Sequence, residues 1–165
     1  MAHIVEILIA SSSNAPLTSL PSVQAVPGRG LAGDRYYLGC GTFSPDPQKP
    51  DYELTLIQIE HIEAFAASSG IPFTAHEARR NLVTTGVDLN SLAGREFQIG
   101  SVRIRGIRLC EPCNHLAKQT VPEVLRGLVH KGGLRAQILS EGEIRLGNPI
   151  FLPVEAAGQF DATAG

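Results

Sequence analysis

The sequence predicts a mainly β protein: a mostly antiparallel β-barrel with a few helices packed outside it. Short runs of apolar and β-branched residues recur along the 165-residue chain, whereas only two or three segments repeat their apolar residues at helical spacing. Seventeen glycines and eleven prolines separate these runs with turns. Strands therefore outnumber helices, and they lack the regular strand–helix alternation of a Rossmann sheet, which favours a barrel.

Strands are predicted wherever a short apolar run, or an alternation of apolar and polar residues, lies between turn-forming residues. In chain order they span residues 3–10, 22–26, 54–57, 81–85, 95–99, 102–109, 134–139, 143–147 and 149–153. Gly100-Ser101 predicts a two-residue hairpin turn, since glycine tolerates the positive φ that such a turn needs. Across Gly106 the apolar positions change from even to odd numbers, which predicts a β-bulge. Glu141-Gly142 predicts a turn that joins the two strands around it in a hairpin.

Three helical segments are predicted. Residues 58–69 repeat their apolar side chains at i, i+3, i+6 and i+7, and Gly70 ends the helix. Residues 74–77 have the spacing of a capping box, which begins a short helical turn. Residues 121–130 carry a proline near the first position and apolar residues on one face. Outside these elements, the proline-rich segment 40–53 is expected to be an exposed loop.

The chain has the length of one average domain. Residues 1–153 are expected to form that domain, and the small, polar residues 154–165 a disordered tail. No apolar run approaches the roughly 20 residues that span a membrane, and the N-terminal run contains Glu6 and lacks the basic start of a signal peptide. A net charge of −2 and 5% aromatic residues do not fit nucleic-acid binding. We therefore expect a cytoplasmic protein that binds neither nucleic acid nor membranes.

Charge is distributed unevenly along the chain. Residues 1–78 carry three basic and eight acidic side chains, whereas residues 79–145 carry eleven basic and six acidic ones. Eleven of the fourteen basic residues are arginines. Because guanidinium groups bind phosphate and carboxylate through two parallel hydrogen bonds, this pattern favours a small anionic ligand. A solvated basic face is the alternative interpretation.

The strongest single motif is the C-x-x-C formed by Cys110 and Cys113 at the end of a predicted strand. Two thiolates at this spacing suit metal ligation or redox chemistry. A structural zinc site would need Cys40, His115 or His130 as further ligands. A thioredoxin-like redox pair would need a βαβ context, which is missing. The remaining interpretations are two packed core cysteines, or one cysteine that acts as a ligand or nucleophile.

Basic side chains at two further places could hold an anion. Arg79-Arg80-Asn81 leaves the capped turn and enters a strand, so that Arg79 and Asn81 are expected to share one face while Arg80 points away. Lys131 and Arg135, after the last predicted helix, could complete an anion pocket. The structural alternatives are an exposed charged turn and simple capping of a helix end.

The glycine-rich segment 27–36, PGRGLAGDRY, is neither a phosphate loop nor a dinucleotide fingerprint. It lacks the phosphate-loop lysine, and the residues from Asp34 to Gly39 are expected to break the helix that a fingerprint needs. The neighbouring Asp34 and Arg35 are instead expected to order this loop or to contact a ligand.

Taken together, five segments of the chain resemble the MOSC domain. This domain is the C-terminal module of molybdenum cofactor sulfurases, and it also occurs as small stand-alone bacterial proteins. The segments are GLAGDRYYLGCGTFS (30–44), TLIQIEHIEAF (55–65), ARRNLVTTGVDLNSLAGREFQIG (78–100), IRLCEPCNHL (107–116) and HKGGLRAQILSEGEIRLGNPI (130–150). Their order and spacing make the resemblance specific over residues 5–150.

The resemblance implies a β-barrel-like fold that binds molybdenum cofactor (molybdopterin), a pterin that bears a dithiolene and a phosphate. It implies that Cys113 is the catalytic cysteine, either as metal ligand or as sulfur carrier. Arg79 and Asn81 match the family's cofactor-contacting R-x-N element, and Cys110 matches a subset with a double cysteine. The cofactor-binding residues that we predict are Arg79, Arg80, Asn81, Cys110, His115, Lys131 and Arg135.

Two functions are consistent with this resemblance. One is a molybdenum-cofactor enzyme that reduces N-hydroxylated compounds with electrons from a separate donor protein. The other is a non-redox module that delivers the cofactor, or that carries sulfur as a Cys113 persulfide supplied by a cysteine desulfurase. A chain of this length cannot contain a pyridoxal-phosphate desulfurase domain, so pyridoxal phosphate is not expected. A partner chain or a second copy could complete the cofactor site.

Overall fold

Apart from the side chain of Tyr36, the computed structural model describes residues 2–12, 15–38, 53–109 and 132–152. The predicted helix at 121–130 and nearly all of the predicted loop at 40–53 lie outside the described residues. So do the predicted tail and all three cysteines.

The described residues form eleven strands and a small number of helices. The strands are β1 (His3–Ile9), β2 (Thr18–Ser19), β3 (Ser22–Val26), β4 (Gly30–Leu31), β5 (Leu54–Gln58), β6 (Leu82–Thr85), β7 (Glu96–Ile99), β8 (Val102–Leu109), β9 (Leu134–Ile138), β10 (Gly142–Arg145) and β11 (Ile150–Phe151). The helices are α1 (Arg35–Leu38), α2 (Ile59–Ser69), α3 (Ala75–Ala78) and one turn of 3-10 helix (Leu89–Leu92). The predicted mainly β class is confirmed.

The strands belong to two sheets. Eight of them are hydrogen-bonded in the order β11-β7-β8-β9-β5-β6-β1-β2, and the other three form a small sheet in the order β10-β3-β4. Every neighbouring pair is antiparallel except β5 and β6. Parallel neighbours need a crossover connection, which here contains α2 and α3.

Residues 147–150 connect two distant parts of the large sheet, which curls into a barrel-like shape. The Ile4 N–H donates to the Asn148 carbonyl at 3.0 Å, and the Gly147 N–H donates to the Ile4 carbonyl at 2.8 Å. The same segment leads into β11, where Ile150 pairs with Ile99 of β7. Strand β1, next to one end of the sheet, is thereby connected to the segment that leads into β11 at the other end, and the predicted barrel-like β fold is confirmed.

Two apolar cores cover the two faces of the large sheet. The larger core joins one face to the small sheet and the 3-10 helix, and the smaller core lies beneath α2 and α3. Because successive strand residues face opposite sides, Leu82 belongs to the larger core and Val83 to the smaller one. In the smaller core the rings of Phe65 and Phe73 meet edge to face at 4.9 Å. Helices α2 and α3 therefore pack outside the barrel-like sheet, as predicted, whereas the 3-10 helix belongs to the larger core.

Several local predictions are confirmed. Gly70 ends α2 in the left-handed conformation with φ 71°, and Thr74 begins α3 with a full capping box. Gly100 has φ 58° in the β7–β8 hairpin turn. The register of β8 against β9 shifts between Gly106 and Arg108, where the bulge was expected. The Leu92 carbonyl occupies the space that a Cβ at position 106 would need, so this position requires glycine.

The predicted hairpin across Glu141-Gly142 is wrong. β9 pairs with β5 and β8 in the large sheet, whereas β10 pairs with β3 in the small one. Since both edges of β9 already have partners, β10 cannot pair with it and its Ile144 lies opposite Val23 instead. After Asp34, Arg35–Leu38 forms a single helical turn, which is too short to be the helix that a dinucleotide fingerprint needs.

Glu53 is a buried carboxylate at the start of β5. Its residue is 4% exposed, and its Oε1 accepts hydrogen bonds from the N–H groups of Ile138 at 2.9 Å and Gly28 at 3.3 Å. Burial raises the pKa of this carboxyl, against the opposing effect of the two N–H donors. The folded protein therefore binds the Glu53 proton more tightly than the unfolded chain does. The stability that this proton provides is present below the ordinary pKa and is lost as pH rises through the raised pKa.

We predict that Glu53→Gln removes this pH dependence. The free energy of unfolding of the variant, measured by urea denaturation relative to the wild type, should increase as pH rises from about 4.5 through the weakly acidic range. A relative stability that stays constant across this range would contradict the account.

Glu60 provides a control in which stability should change with pH in the opposite direction. Burial alone would raise its pKa, but the Thr85 hydroxyl at 2.7 Å and the Gly86 N–H at 3.0 Å hold the pKa below its ordinary value. Its contribution to stability is present at neutral pH and is lost as pH falls through the lowered pKa. Glu60→Gln should therefore lose stability relative to the wild type as pH rises.

Candidate functional site

The candidate site is built around the turn that joins α3 to β6. Arg79 ends α3 with φ 57°, and it is the one non-glycine residue with positive φ in the described parts of the chain. Its N–H donates to the Ala75 carbonyl at 3.3 Å. Helices commonly end in this left-handed conformation, but glycine usually occupies the position because other residues are strained there by about 1 kcal/mol. Strain of this kind is concentrated at functional sites.

A buried ion pair holds the strained backbone of Arg79. The Arg35 guanidinium donates to the Arg79 carbonyl at 2.9 Å and to Asp34 Oδ1 at 3.2 Å. Asp34 Oδ1 also accepts the N–H of Ala10, just beyond β1, at 3.0 Å. Arg35 is 5% exposed and Asp34 is fully buried. This arrangement confirms the expectation that the Asp34–Arg35 pair orders its loop.

Arg80 ties the turn to the start of β9. Its Nε donates to the Gly132 carbonyl at 2.8 Å, and its guanidinium donates to the Ala78 carbonyl at 3.2 Å. The side chain is buried. Arg80 thus connects the end of α3 to the segment just before β9.

The Asn81 side chain is fully buried and joins three strands. Its Oδ1 accepts hydrogen bonds from the Thr55 N–H at 3.0 Å and the Thr55 hydroxyl at 3.2 Å, and its Nδ2 donates to the Leu8 carbonyl at 3.1 Å. The Asn81 carbonyl in turn accepts the Leu8 N–H at 2.7 Å. Asn81 therefore fixes the start of β6 between β1 and β5.

Arg135 lies in the same region of the sheet. It is buried on β9, opposite Thr55 of β5 on one side and Arg108 of β8 on the other. Directly opposed residues share a face of the sheet. Arg135 is therefore on the face that Thr55 and Asn81 occupy, which brings a fourth predicted residue to this site.

The expected geometry of the Arg79-Arg80-Asn81 segment differs from the observed one. The prediction that Arg79 and Asn81 share a face assumed strand alternation through all three residues. The left-handed backbone at Arg79 interrupts that alternation, and β6 begins only at Leu82. Arg80 and Asn81 are both buried, whereas Arg79 is partly exposed.

The other predicted site residues lie outside the described residues: Cys110, Cys113, His115 and Lys131. The described chain stops at Leu109 and resumes at Gly132, and both ends of this gap adjoin the site. Leu109 pairs with Leu134 beside Arg135, and the Gly132 carbonyl accepts from Arg80. Within the described parts, no group of three histidine, cysteine, aspartate or glutamate side chains is arranged to hold a metal ion. In the same parts, no helix is long and apolar enough to cross a membrane.

The sequence analysis did not predict the structural role of Thr55 at the site. Thr55 is 1% exposed within the apolar run 54–57 and binds Asn81 through both its N–H and its hydroxyl. A polar residue inside an apolar run is the signal that could have identified it, because buried polar groups need hydrogen-bond partners.

Comparison with protein families identifies the fold to which this site belongs. The family model described as the MOSC domain matches residues 44–151, which is more than half of the chain. The chain belongs to the MOSC domain family. The resemblance drawn from the sequence segments is therefore confirmed, and no curated protein sequence matches the chain.

Solved structures share the MOSC fold of this chain. The YuaD protein from Bacillus subtilis superposes with a TM-score of 0.75 at 16% identity, covering 91% of this chain and 94% of that one. YiiM from Geobacillus stearothermophilus has a TM-score of 0.71 at 19% identity, covering 93% of this chain and 75% of that one. YiiM from Escherichia coli has a TM-score of 0.67 at 17% identity, covering 99% and 82%. At these identities the likeness shows the fold alone.

We predict that glycine is more stable than alanine at position 79. Both variants remove the arginine side chain, so their difference reports the left-handed backbone. Arg79→Gly should exceed Arg79→Ala in free energy of unfolding by about 1 kcal/mol, measured by chemical denaturation. The same comparison at the exposed, helical Ala67 should have the opposite sign, with Ala67→Gly destabilising the protein by about 1 kcal/mol. Equal stability of the two variants at position 79 would contradict the observed conformation.

We also predict a large structural effect at Asn81. Asn81→Ala would leave the Thr55 N–H and the Leu8 carbonyl buried without partners, and should lower the free energy of unfolding by about 2–4 kcal/mol. Asn148→Ala is the matched control: Asn148 Oδ1 accepts one exposed hydrogen bond, from the Arg145 N–H at 2.7 Å, so this change should lower stability by only about 1 kcal/mol. Similar losses in the two variants would argue against the role of Asn81.

Proposed function

We propose that this MOSC protein binds molybdenum cofactor and reduces N-hydroxylated compounds with electrons from a separate donor protein. The observation that carries the proposal is the strained, partly exposed Arg79, whose backbone the buried Arg35 holds. Glycine would relieve the strain, so a role for the arginine side chain would explain why this chain has arginine here. A partly exposed arginine on a fixed backbone suits an anionic group such as the phosphate of the pterin.

The described residues fit an anionic cofactor. Arg79 would bind the phosphate directly, and Arg135 would add positive charge from a buried position on β9. Charges act more strongly in such a poorly solvated region than in water. Arg80 and Asn81 would act by fixing the backbone, since their side chains are already bonded to backbone groups. Lys131 directly precedes Gly132, which Arg80 binds, and we include it as a further cation.

Cys113 is the residue that we propose as metal ligand, with Cys110 and His115 beside it in the sequence. When bound, the molybdenum group supplies the two-electron chemistry of the reduction. The protein would provide the thiolate, the cationic phosphate site and a shielded position for the substrate. A cytoplasmic location fits these roles, because a reducing compartment keeps the cysteines as thiols.

The arginine site favours cofactor binding over the alternative of a simple sulfur carrier. A Cys113 persulfide requires a reactive thiol and a donor such as a cysteine desulfurase, but no phosphate-binding site. A sulfur carrier would not need a strained arginine that a buried ion pair holds in place. The same arrangement is compatible with delivery of the cofactor, which the experiments below separate from catalysis.

The proposal predicts that Cys113 is needed for retention of molybdenum. The wild-type protein, Cys113→Ser and Cys110→Ser are each reconstituted anaerobically with molybdenum cofactor and desalted, and molybdenum and pterin are measured per chain. We expect near-stoichiometric retention in the wild type, weaker retention in Cys110→Ser because Cys110 is a predicted cofactor-binding residue, and complete loss of molybdenum only in Cys113→Ser, with an unchanged melting temperature. Failure of the wild type to retain either component would overturn the proposal.

Turnover then separates enzyme from carrier. The reconstituted wild type is incubated with a hydroxylamine substrate and a chemical reductant, and the amine product is measured. Product formation that depends on Cys113 supports the reductase. Full cofactor retention without any turnover, together with transfer of the cofactor to an acceptor enzyme, would replace the reductase with cofactor delivery. A persulfide on Cys113 without cofactor retention would indicate the sulfur carrier.

A further inference from the structure

We infer that Asp34 and Arg35 are positioning residues that orient Arg79 toward the anionic part of its ligand. The inference rests on the proposed function and extends it to residues that belong neither to the cysteine motif nor to the Arg79-Arg80-Asn81 segment. Its basis is the bond from the Arg35 guanidinium to the Arg79 carbonyl, at 2.9 Å.

Arg35 can act only through another residue. It is 5% exposed, and its partner Asp34 is fully buried, so neither side chain presents a surface to a ligand. The group that Arg35 binds is the carbonyl of the strained residue, which is itself partly exposed. A hydrogen bond to this carbonyl fixes the peptide plane after Arg79 and therefore restricts the direction in which its side chain leaves the backbone.

The geometry requires the fork of a guanidinium. One terminal nitrogen of Arg35 binds Asp34 and the other binds the Arg79 carbonyl. A planar group with several fixed donors can hold both acceptors at once, whereas a lysine ammonium is a compact point charge on a flexible stem. A lysine at position 35 keeps the positive charge but lacks the fork, so it should not hold Arg79 in position.

Asp34 fixes Arg35 in turn. Its Oδ1 accepts both the Arg35 guanidinium at 3.2 Å and the Ala10 N–H at 3.0 Å. The carboxylate thus anchors the arginine to the segment that follows β1, two residues beyond Leu8, which itself bonds to Asn81. The path from Ala10 through Asp34 and Arg35 to Arg79 consists of charge-assisted hydrogen bonds, two of them buried and the last part-buried, and such bonds are the stronger kind.

The test measures cofactor affinity and melting temperature separately. Wild type, Arg35→Lys, Arg35→Gln and Arg79→Ala are reconstituted with molybdenum cofactor, and a dissociation constant is obtained from bound pterin at graded cofactor concentrations. We expect Arg35→Lys and Arg35→Gln to weaken binding by about 10–100-fold, as loss of outer-shell residues does at other cofactor sites. Rescue by lysine would show that charge alone matters and would overturn the fork argument.

A stability control distinguishes positioning from general structural damage. Ile99 is fully buried on β7, away from the turn, and Ile99→Val and Ile99→Ala lower stability in graded steps. The variant whose melting temperature matches that of Arg35→Gln should bind cofactor as the wild type does. Equal loss of binding in the matched variant would reduce Arg35 to an ordinary structural residue.

The decisive comparison is the double variant Arg35→Gln/Arg79→Ala. If Arg35 acts through the Arg79 side chain, the double variant should bind no more weakly than Arg79→Ala alone. Fully additive losses would overturn the inference while leaving the cofactor proposal intact. Failure of the wild type to bind would instead defeat the proposed function, so the two failures are distinguishable.

Discussion

The arrangement of the site depends on the hydrogen bonds of one buried amide. Asn81 has no exposed surface, and its side chain bonds to Thr55 on β5 and Leu8 on β1 at the point where β6 begins. These strands could each be stabilised by apolar packing alone, but packing is non-directional and would not fix where β6 starts. The Asn81 amide fixes the start of β6. The residues just before it are thereby held in a tight turn that begins at Arg79.

Positive charge is concentrated around this turn in a part of the molecule with little solvent. The described buried ionisable residues are Asp34, Arg35, Glu53, Arg80 and Arg135. Burying a charge is unfavourable unless it is paired and hydrogen-bonded. Arg35 satisfies this requirement through Asp34 and a carbonyl, and Arg80 through two carbonyls. The protein therefore keeps guanidinium groups buried by giving them backbone acceptors, and it leaves Arg79 partly exposed beside them.

The sequence predicted local features well and long-range pairing less well. Gly70, the capping box at Thr74 and the bulge near Gly106 follow from short-range rules and are present. The hairpin between β9 and β10 is wrong because pairing depends on which edges are already occupied, and β5 and β8 occupy both edges of β9. Four of the residues predicted for the site, Arg79, Arg80, Asn81 and Arg135, lie around one turn and the strands beside it. The role of Arg35 could not be predicted from the sequence, because its hydrogen bond to the Arg79 carbonyl joins residues that are far apart in the chain.

The central claim is that the fixed turn presents the Arg79 side chain to an anionic cofactor. The most direct test is a crystal structure of the protein reconstituted with molybdenum cofactor. The account predicts that the Arg79 guanidinium lies about 3 Å from an oxygen of the pterin phosphate, with the Arg35–Arg79 and Asn81–Leu8 hydrogen bonds unchanged. A bound cofactor whose phosphate is held elsewhere, with Arg79 directed away from it, would contradict the account.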